Sequence, residues 1–176
     1  AALNPIDKYL SFFPNDDLAY AIKSRAEFSM GKINDSKADN DYAIILNDSP
    51  EYQFDRAKIM YKMGDYQGAK NLFTSLLPNI QTSKIYEYIG LCDYSLKDYS
   101  SALNNYDKAI LLSNDDQYLE SMYNEIKELL ESNNLYKEMY GYEKEGDLVK
   151  ARAEWRKALR IQVNHAGALN KMNSYK

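Results

Sequence analysis

The chain has 176 residues, of which 45% are apolar, enough for one ordinary domain or a short repeat array with a core. The formal charge of −4 hides an asymmetry: residues 148–176 carry seven basic side chains against Glu154 alone, which leaves the rest of the chain acidic. That distribution argues against a general nucleic-acid binder, which needs a broad positive stripe, and no apolar run approaches the roughly 20 residues of a membrane helix.

The apolar spacing is helical throughout, with no sustained period-two alternation. The first segment, "AALNPIDKYLSFFPNDD", predicts a helix over 3–13 that stops at Pro14. Further helices are predicted over 17–30, 33–46, 50–63, 66–77, 83–96 and 99–112. Pro78 ends the one at 66–77, and a loose stretch then runs to the next start.

A ten-residue phrase punctuates them: "FSMGKINDSK" at 28–37, "YKMGDYQGAK" at 61–70, "YSLKDYSSAL" at 94–103 and "EKEGDLVKAR" at 143–152. Gly64 and Gly146 supply the left-handed residue that ends one helix, and Asp65 and Asp147 cap the next. Each phrase is therefore the turn of a helical hairpin. Lys97 stands where the third copy would have glycine, while Asp98 keeps the capping role. Small residues sit where helices must approach closely: Ala57 and Gly90 in first helices, and Ala43, Ala69, Ala102, Ala109, Ala151 and Ala158 in second helices. Phe73, Tyr106 and Trp155 fill the space between them.

The first two intervals between phrases are 33 residues and the last is 49, so about one helix has been added. Residues 117–131 are that helix, with Glu120, Glu125, Glu128 and Glu131 on an outer acidic face, and Asp115 and Asp116 at its start. A break is expected at "SNN" (132–134), followed by helices over 134–145, 148–162 and 165–174; one continuous helix over 117–145 is the alternative. The basic helix at 148–162 is expected to meet the acidic one, with an acidic partner as the alternative.

The period, the two helices per unit, the "GDY" turn and the alternation of small and aromatic residues together resemble the tetratricopeptide repeat family. The closest copy is "YEYIGLCDYSLKDYSSALNNYDKAI" at 86–110, which keeps an aromatic, Gly, Ala, aromatic, Ala series as Tyr86, Gly90, Ala102, Tyr106 and Ala109. Ser36 and Asn40 depart from the pattern, standing where the first alanine and the aromatic of a second helix belong. The resemblance implies an all-α, right-handed α-solenoid: a half repeat at 1–15, repeats at 17–49, 50–82 and 83–115, an inserted helix at 116–132, and a terminal pair with a further helix at 133–176. The chain is thus expected to begin in mid-repeat, as a fragment of a larger protein would.

The resemblance further implies a concave groove lined by the first helices, where peptides bind. On the matching positions stand Arg25 and Phe28, then Phe54, Lys58, Tyr61 and Lys62, then Lys84, Glu87, Leu91 and Tyr94. Phe28, Tyr61 and Tyr94 form an aromatic column; such rings offer large contact area at little entropic cost. The same column is also open to a scaffold role. The Lys and Asn set with which some members of the family clamp chaperone tails is not matched here.

No catalytic or metal-binding motif is present, and no cofactor is expected. Cys92 reads as a core residue and His165 as a surface one. Asp39 and Asp41 lack the remaining ligands of a calcium loop and are expected on a solvated face. The function expected is a non-catalytic scaffold that binds a protein or peptide, with no nucleic acid and no membrane insertion. A self-assembling spacer with exposed repeat ends and an accessory domain of an enzyme are the alternatives. A single cysteine is compatible with any compartment, the cytoplasm being favoured over the periplasm or secretion.

Overall fold

The computed structural model describes residues 5–114 and 116–161. Among these every regular element is an α-helix: α1 (Pro5–Phe12), α2 (Asp17–Ser29), α3 (Ile33–Leu46), α4 (Pro50–Lys62), α5 (Tyr66–Leu76), α6 (Ser83–Ser95), α7 (Tyr99–Leu111), α8 (Gln117–Lys144) and α9 (Leu148–Ile161). The fold is an all-α helical repeat, as the sequence predicts. The helix expected over 165–174 lies outside the described residues. The chain forms two compact units, one ending at Lys97 and the other starting at Asp98.

The hairpin turns take the conformations that the phrase requires. Gly31, Gly64 and Gly146 have φ of 75°, 87° and 79°, and Lys97 adopts the same left-handed region at 64°. A lysine there costs about 1 kcal/mol relative to glycine, because its Cβ crowds the following carbonyl. In three of the four turns the next residue is an aspartate that caps the following helix, whereas Lys32 after Gly31 makes no side-chain cap. Asp65 accepts from the Gly68 amide at 2.9 Å, Asp98 from Ser101 at 3.1 Å and Asp147 from Lys150 at 3.1 Å. Pro78 follows the end of α5 at Leu76, as expected.

In the first unit, consecutive helices from α1 to α6 pack against one another. Ala57 and Ala69 are fully buried and share one cluster with Phe73, Leu76, Ile85, Ile89 and Cys92. With no side chain in the way at the alanines, α4 and α5 approach closely and Phe73 fills the seam toward α6, stacked on Tyr88 at 5.2 Å. Around α3 the departures are polar. Ser24 donates to the Ser36 carbonyl at 2.8 Å, and the two hydroxyls lie 3.1 Å apart. Asn40 donates from Nδ2 to the Tyr52 carbonyl at 3.2 Å.

Buried and half-buried ion pairs tie these helices. Asp93 on α6 is fully buried and pairs with Lys70 on α5. Lys23 on α2 bridges Asp7 on α1 and Asp39 on α3, at 3.1 Å each. Asp41 holds Lys37 at 2.6 Å and Arg56 at 3.2 Å. Asp39 and Asp41, expected on a solvated face, are therefore half-buried structural partners of cations on their own and neighbouring helices.

In the second unit, α8 packs against α7 and α9. The break expected at 132–134 does not occur, and helix continues through Ser132, Asn133 and Asn134. Two asparagines disfavour helix by only a few tenths of a kcal/mol each, whereas Leu119, Ile126 and Met139 all bury fully along this helix. Burial outweighs propensity. Met139 and Tyr142 pack with Ala151 and Trp155 of α9. The basic helix thus meets the 139–142 end of α8; Glu120, Glu125, Glu128 and Glu131 are exposed, and the ion pairs of Lys150 and Lys157 are local, to Asp147 and Glu154.

Replacing Asp93 by Ala removes the fully buried carboxylate that joins α6 to Lys70 of α5 and leaves a void in its place, so urea unfolding should report a loss of about 3 kcal/mol, as is typical when one partner of a buried pair is removed. The double replacement Lys70→Met with Asp93→Leu should recover most of it.

Candidate functional site

The first helices of the first unit lie side by side. Arg25 of α2 reaches Asp55 of α4; Phe54 of α4 meets Tyr88 of α6 edge-on at 5.7 Å; and the Tyr61 hydroxyl of α4 lies 3.3 Å from that of Ser95 on α6. All ten residues expected to line the groove are on these three helices. The structure then divides them. Arg25, Lys62 and Lys84 are exposed, Glu87 is buried, and the other six are partly buried.

The charges are paired at fixed positions. Asp55 is buried and holds both the Arg25 guanidinium and the Lys58 ammonium, the latter at 3.0 Å. Lys58 also sits 5.2 Å from the centre of the Phe28 ring and 5.9 Å from that of Phe54, within cation–π range. Lys84 binds Glu87 at 2.8 Å and lies 5.9 Å from the Tyr88 ring. Two buried carboxylates thus hold three cations, one from each helix.

Two depressions open on this face. One, of about 170 Å³, is bordered by Arg25, Phe28, Ser29, Asp55 and Lys58. The other, of about 340 Å³, has Phe54 and Ile80 as its apolar lining and Arg25, Glu51, Thr82 and Lys84 around them. Arg25 and Asp55 belong to both, so their ion pair forms a bar between the two. Ile80 and Thr82 come from the loop between α5 and α6, which helical spacing alone cannot place.

The aromatic column has a mixed environment. The Tyr61 ring lies 5.3 Å from Tyr66 and 6.4 Å from Tyr88, and it packs against the core cluster with its hydroxyl engaged by Ser95. Ser95 in turn donates to the Leu91 carbonyl at 2.9 Å. Phe28 carries Lys58 over its ring. Tyr94 is partly buried, and its carbonyl accepts from the Lys97 N–H at 3.0 Å in the turn that follows.

Behind the face, Glu27 on α2 is buried beside Asp39, with Lys23 and Asp35 also near. Burial, then the hydrogen bond and negative charge of Asp39, push its carboxyl up to about 7. Burial pushes the Cys92 thiol up to about 12, which suits a core residue and not a nucleophile. Among the described residues no cluster of side chains could hold a metal ion, and no helix is long and apolar enough to cross a membrane. His165 lies outside the described residues.

No family model and no curated protein matches the sequence. Solved structures do match. YrrB, described as a TPR protein with an unusual peptide-binding site, is 16% identical with a TM-score of 0.64, over 98% of this chain and all of that one. The first TPR of Spaghetti (RPAP3), bound to the HSP90 peptide SRMEEVD, is 16% identical with a TM-score of 0.59, over 65% of this chain and 92% of that one. The Arabidopsis OM64 TPR domain is 19% identical with a TM-score of 0.59, over 63% of this chain and 93% of that one.

A raised carboxyl pKa means that the folded state holds its proton more tightly than the unfolded state does, so this group's contribution to stability falls as pH rises from its ordinary value toward about 7. Chemical denaturation followed between about pH 5 and pH 8 should show a stability loss that is smaller in Glu27→Gln, in which the group cannot ionise.

Proposed function

We propose that this tetratricopeptide-repeat fold is a non-catalytic scaffold that binds an extended segment of a partner protein along the face made by α2, α4 and α6. The observation that carries the reading is the pair of depressions on that face, divided by the Arg25–Asp55 bar. The larger takes an apolar side chain over Phe54 and Ile80. The smaller, beside Phe28 and Ser29, takes a second side chain, and Arg25 and Lys84 offer N–H donors to the carbonyls between them.

Two features favour binding over a purely architectural role. Charged groups are spaced along the face and held in place by buried carboxylates, so little ordering is left for a ligand to impose. In addition, two of the similar solved structures are described as having a peptide-binding site or a bound peptide. Arg25, Phe28, Phe54, Lys58 and Lys84 are the residues assigned to contact; Tyr61 serves mainly to join α4 to α6.

Random peptides displayed against the chain supply ligands whatever the natural partner is. Thr82→Trp fills the larger depression from an exposed loop position, and Lys84→Glu reverses an exposed charge. Each should weaken the selected peptides about tenfold with helical content unchanged, as expected for residues at the centre of a binding patch. Undiminished binding by both variants would overturn the assignment. Light scattering during the same titration separates binding by a monomer from self-assembly.

A further inference from the structure

With eight residues, α1 is too short to persist as a helix by itself, so its form depends on what it is docked to. Leu10 is its buried residue, and two polar ties join it to α2. The Tyr9 hydroxyl donates to Asp16, the residue that caps α2, at 2.7 Å. Lys23, in the middle of α2, binds Asp7 at 3.1 Å and, at the same distance, Asp39 of α3. One ammonium thus joins three helices.

Glu27 stands one helical turn beyond Lys23 on α2, within reach of the same ammonium. It is buried, its carboxyl hydrogen-bonds Asp39, and its Oε2 receives no hydrogen bond. Two carboxylates both only accept, so they hydrogen-bond to each other only when one carries a proton. The geometry is that of a protonated Glu27. Burial, with Asp39 opposite, pushes this carboxyl up to about 7. The other charged groups around it are Asp35 on α3 and Lys23 on its own helix, with Asp7 of α1 reached through Lys23. On α4, Asp55 is engaged with Arg25 and Lys58, and Arg56 with Asp41.

We propose that α1 is a proton-controlled cover on α2: with Glu27 protonated, Lys23 ties down Asp7, and when Glu27 ionises, Lys23 turns to it and lets Asp7 go. Exposure sets which tie yields. The Asp7 side chain is 35% exposed and that of Asp39 14%, so Asp7 returns to water with the smaller change in solvation. The α2–α3 pair stays closed, because Ala21 and Ala43 pack together and Ser24 is bonded to the Ser36 carbonyl. After release, Leu10 and the Tyr9 bond to Asp16 alone hold α1. The device lies apart from the α2–α4–α6 face and needs no ligand.

The test is NMR of the isotope-labelled chain between about pH 5 and pH 8. The Glu27 carboxyl carbon reports its ionisation, and the Cα shifts of residues 8–11 report whether α1 is helical. Both should move together with a midpoint of about 7, the α1 shifts going from helix toward coil while those of α2 and α3 stay helical. Glu27→Gln should keep α1 helical at every pH. Asp7→Asn should loosen α1 throughout and, because linkage is reciprocal, lower the Glu27 midpoint by about one unit; the docking constant of the parent then falls about tenfold as Glu27 ionises. Three results would overturn the proposal: α1 shifts that do not change while Glu27 titrates, a change in α1 that persists in Glu27→Gln, or a Glu27 midpoint unmoved in Asp7→Asn. The first and third stand even should Glu27→Gln not fold.

Discussion

Close approach of helices at small residues is the constraint on which the rest of this molecule depends. Ala43, Ala57, Ala69, Ala102, Ala109, Ala151 and Ala158 are all buried to within 1% of full exclusion from solvent. Each removes side-chain bulk at one point along a pair of helices. The axes can then come near enough for a ring such as Phe73, Tyr106 or Trp155 to close the space alongside. Within the first unit the pattern returns after 33 residues, so consecutive hairpins there pack through equivalent positions. The first helices of the first unit consequently stand in a row, and their outward side chains form one continuous face.

Polar substitutions decide what that regular frame can do. On the face, Asp55 and Glu87 are buried deeply enough to hold cations in set directions, which converts flexible lysine and arginine side chains into fixed donors. Within the seams, Lys70 and Asp93 close the α5–α6 contact, whereas Asn40 and Met60 leave the α3–α4 contact open. Repeats that share a backbone therefore differ in what their seams exclude. Behind α2, the crowding of Glu27 and Asp39 around one lysine, Lys23, couples the packing of three helices to protonation.

Most of the fold was legible because its signals are local. A glycine or an aspartate at a turn acts through its own φ or its own side chain, and the seven alanines act by being small wherever they fall. Helix boundaries from α2 to α7 accordingly agree with the spacing to within a residue or so. The continuous α8 was not legible, because "SNN" weakens helix locally while the burial of Ile126, Ser132 and Met139 is decided by neighbours distant in sequence. The candidate face was half legible. Arg25, Lys58 and Lys84 could be placed on one face by period alone, but not the joint hold of Asp55 on two helices, nor the entry of Ile80 and Thr82 from a loop. Tyr61 illustrates the limit: period puts it in the row, and only its contacts with Ser95, Tyr66 and Tyr88 show how much of it is scaffold.

The central claim, that small side chains at helix crossings set the spacing of the array, is tested most directly by urea unfolding of Ala57→Leu. Ala57 is fully buried within the cluster that contains Ala69 and Phe73, so three added carbons have nowhere to go without separating the helices. The account predicts a loss of about 2 kcal/mol or more, in the range found for overpacked cores. A variant as stable as the parent would contradict it.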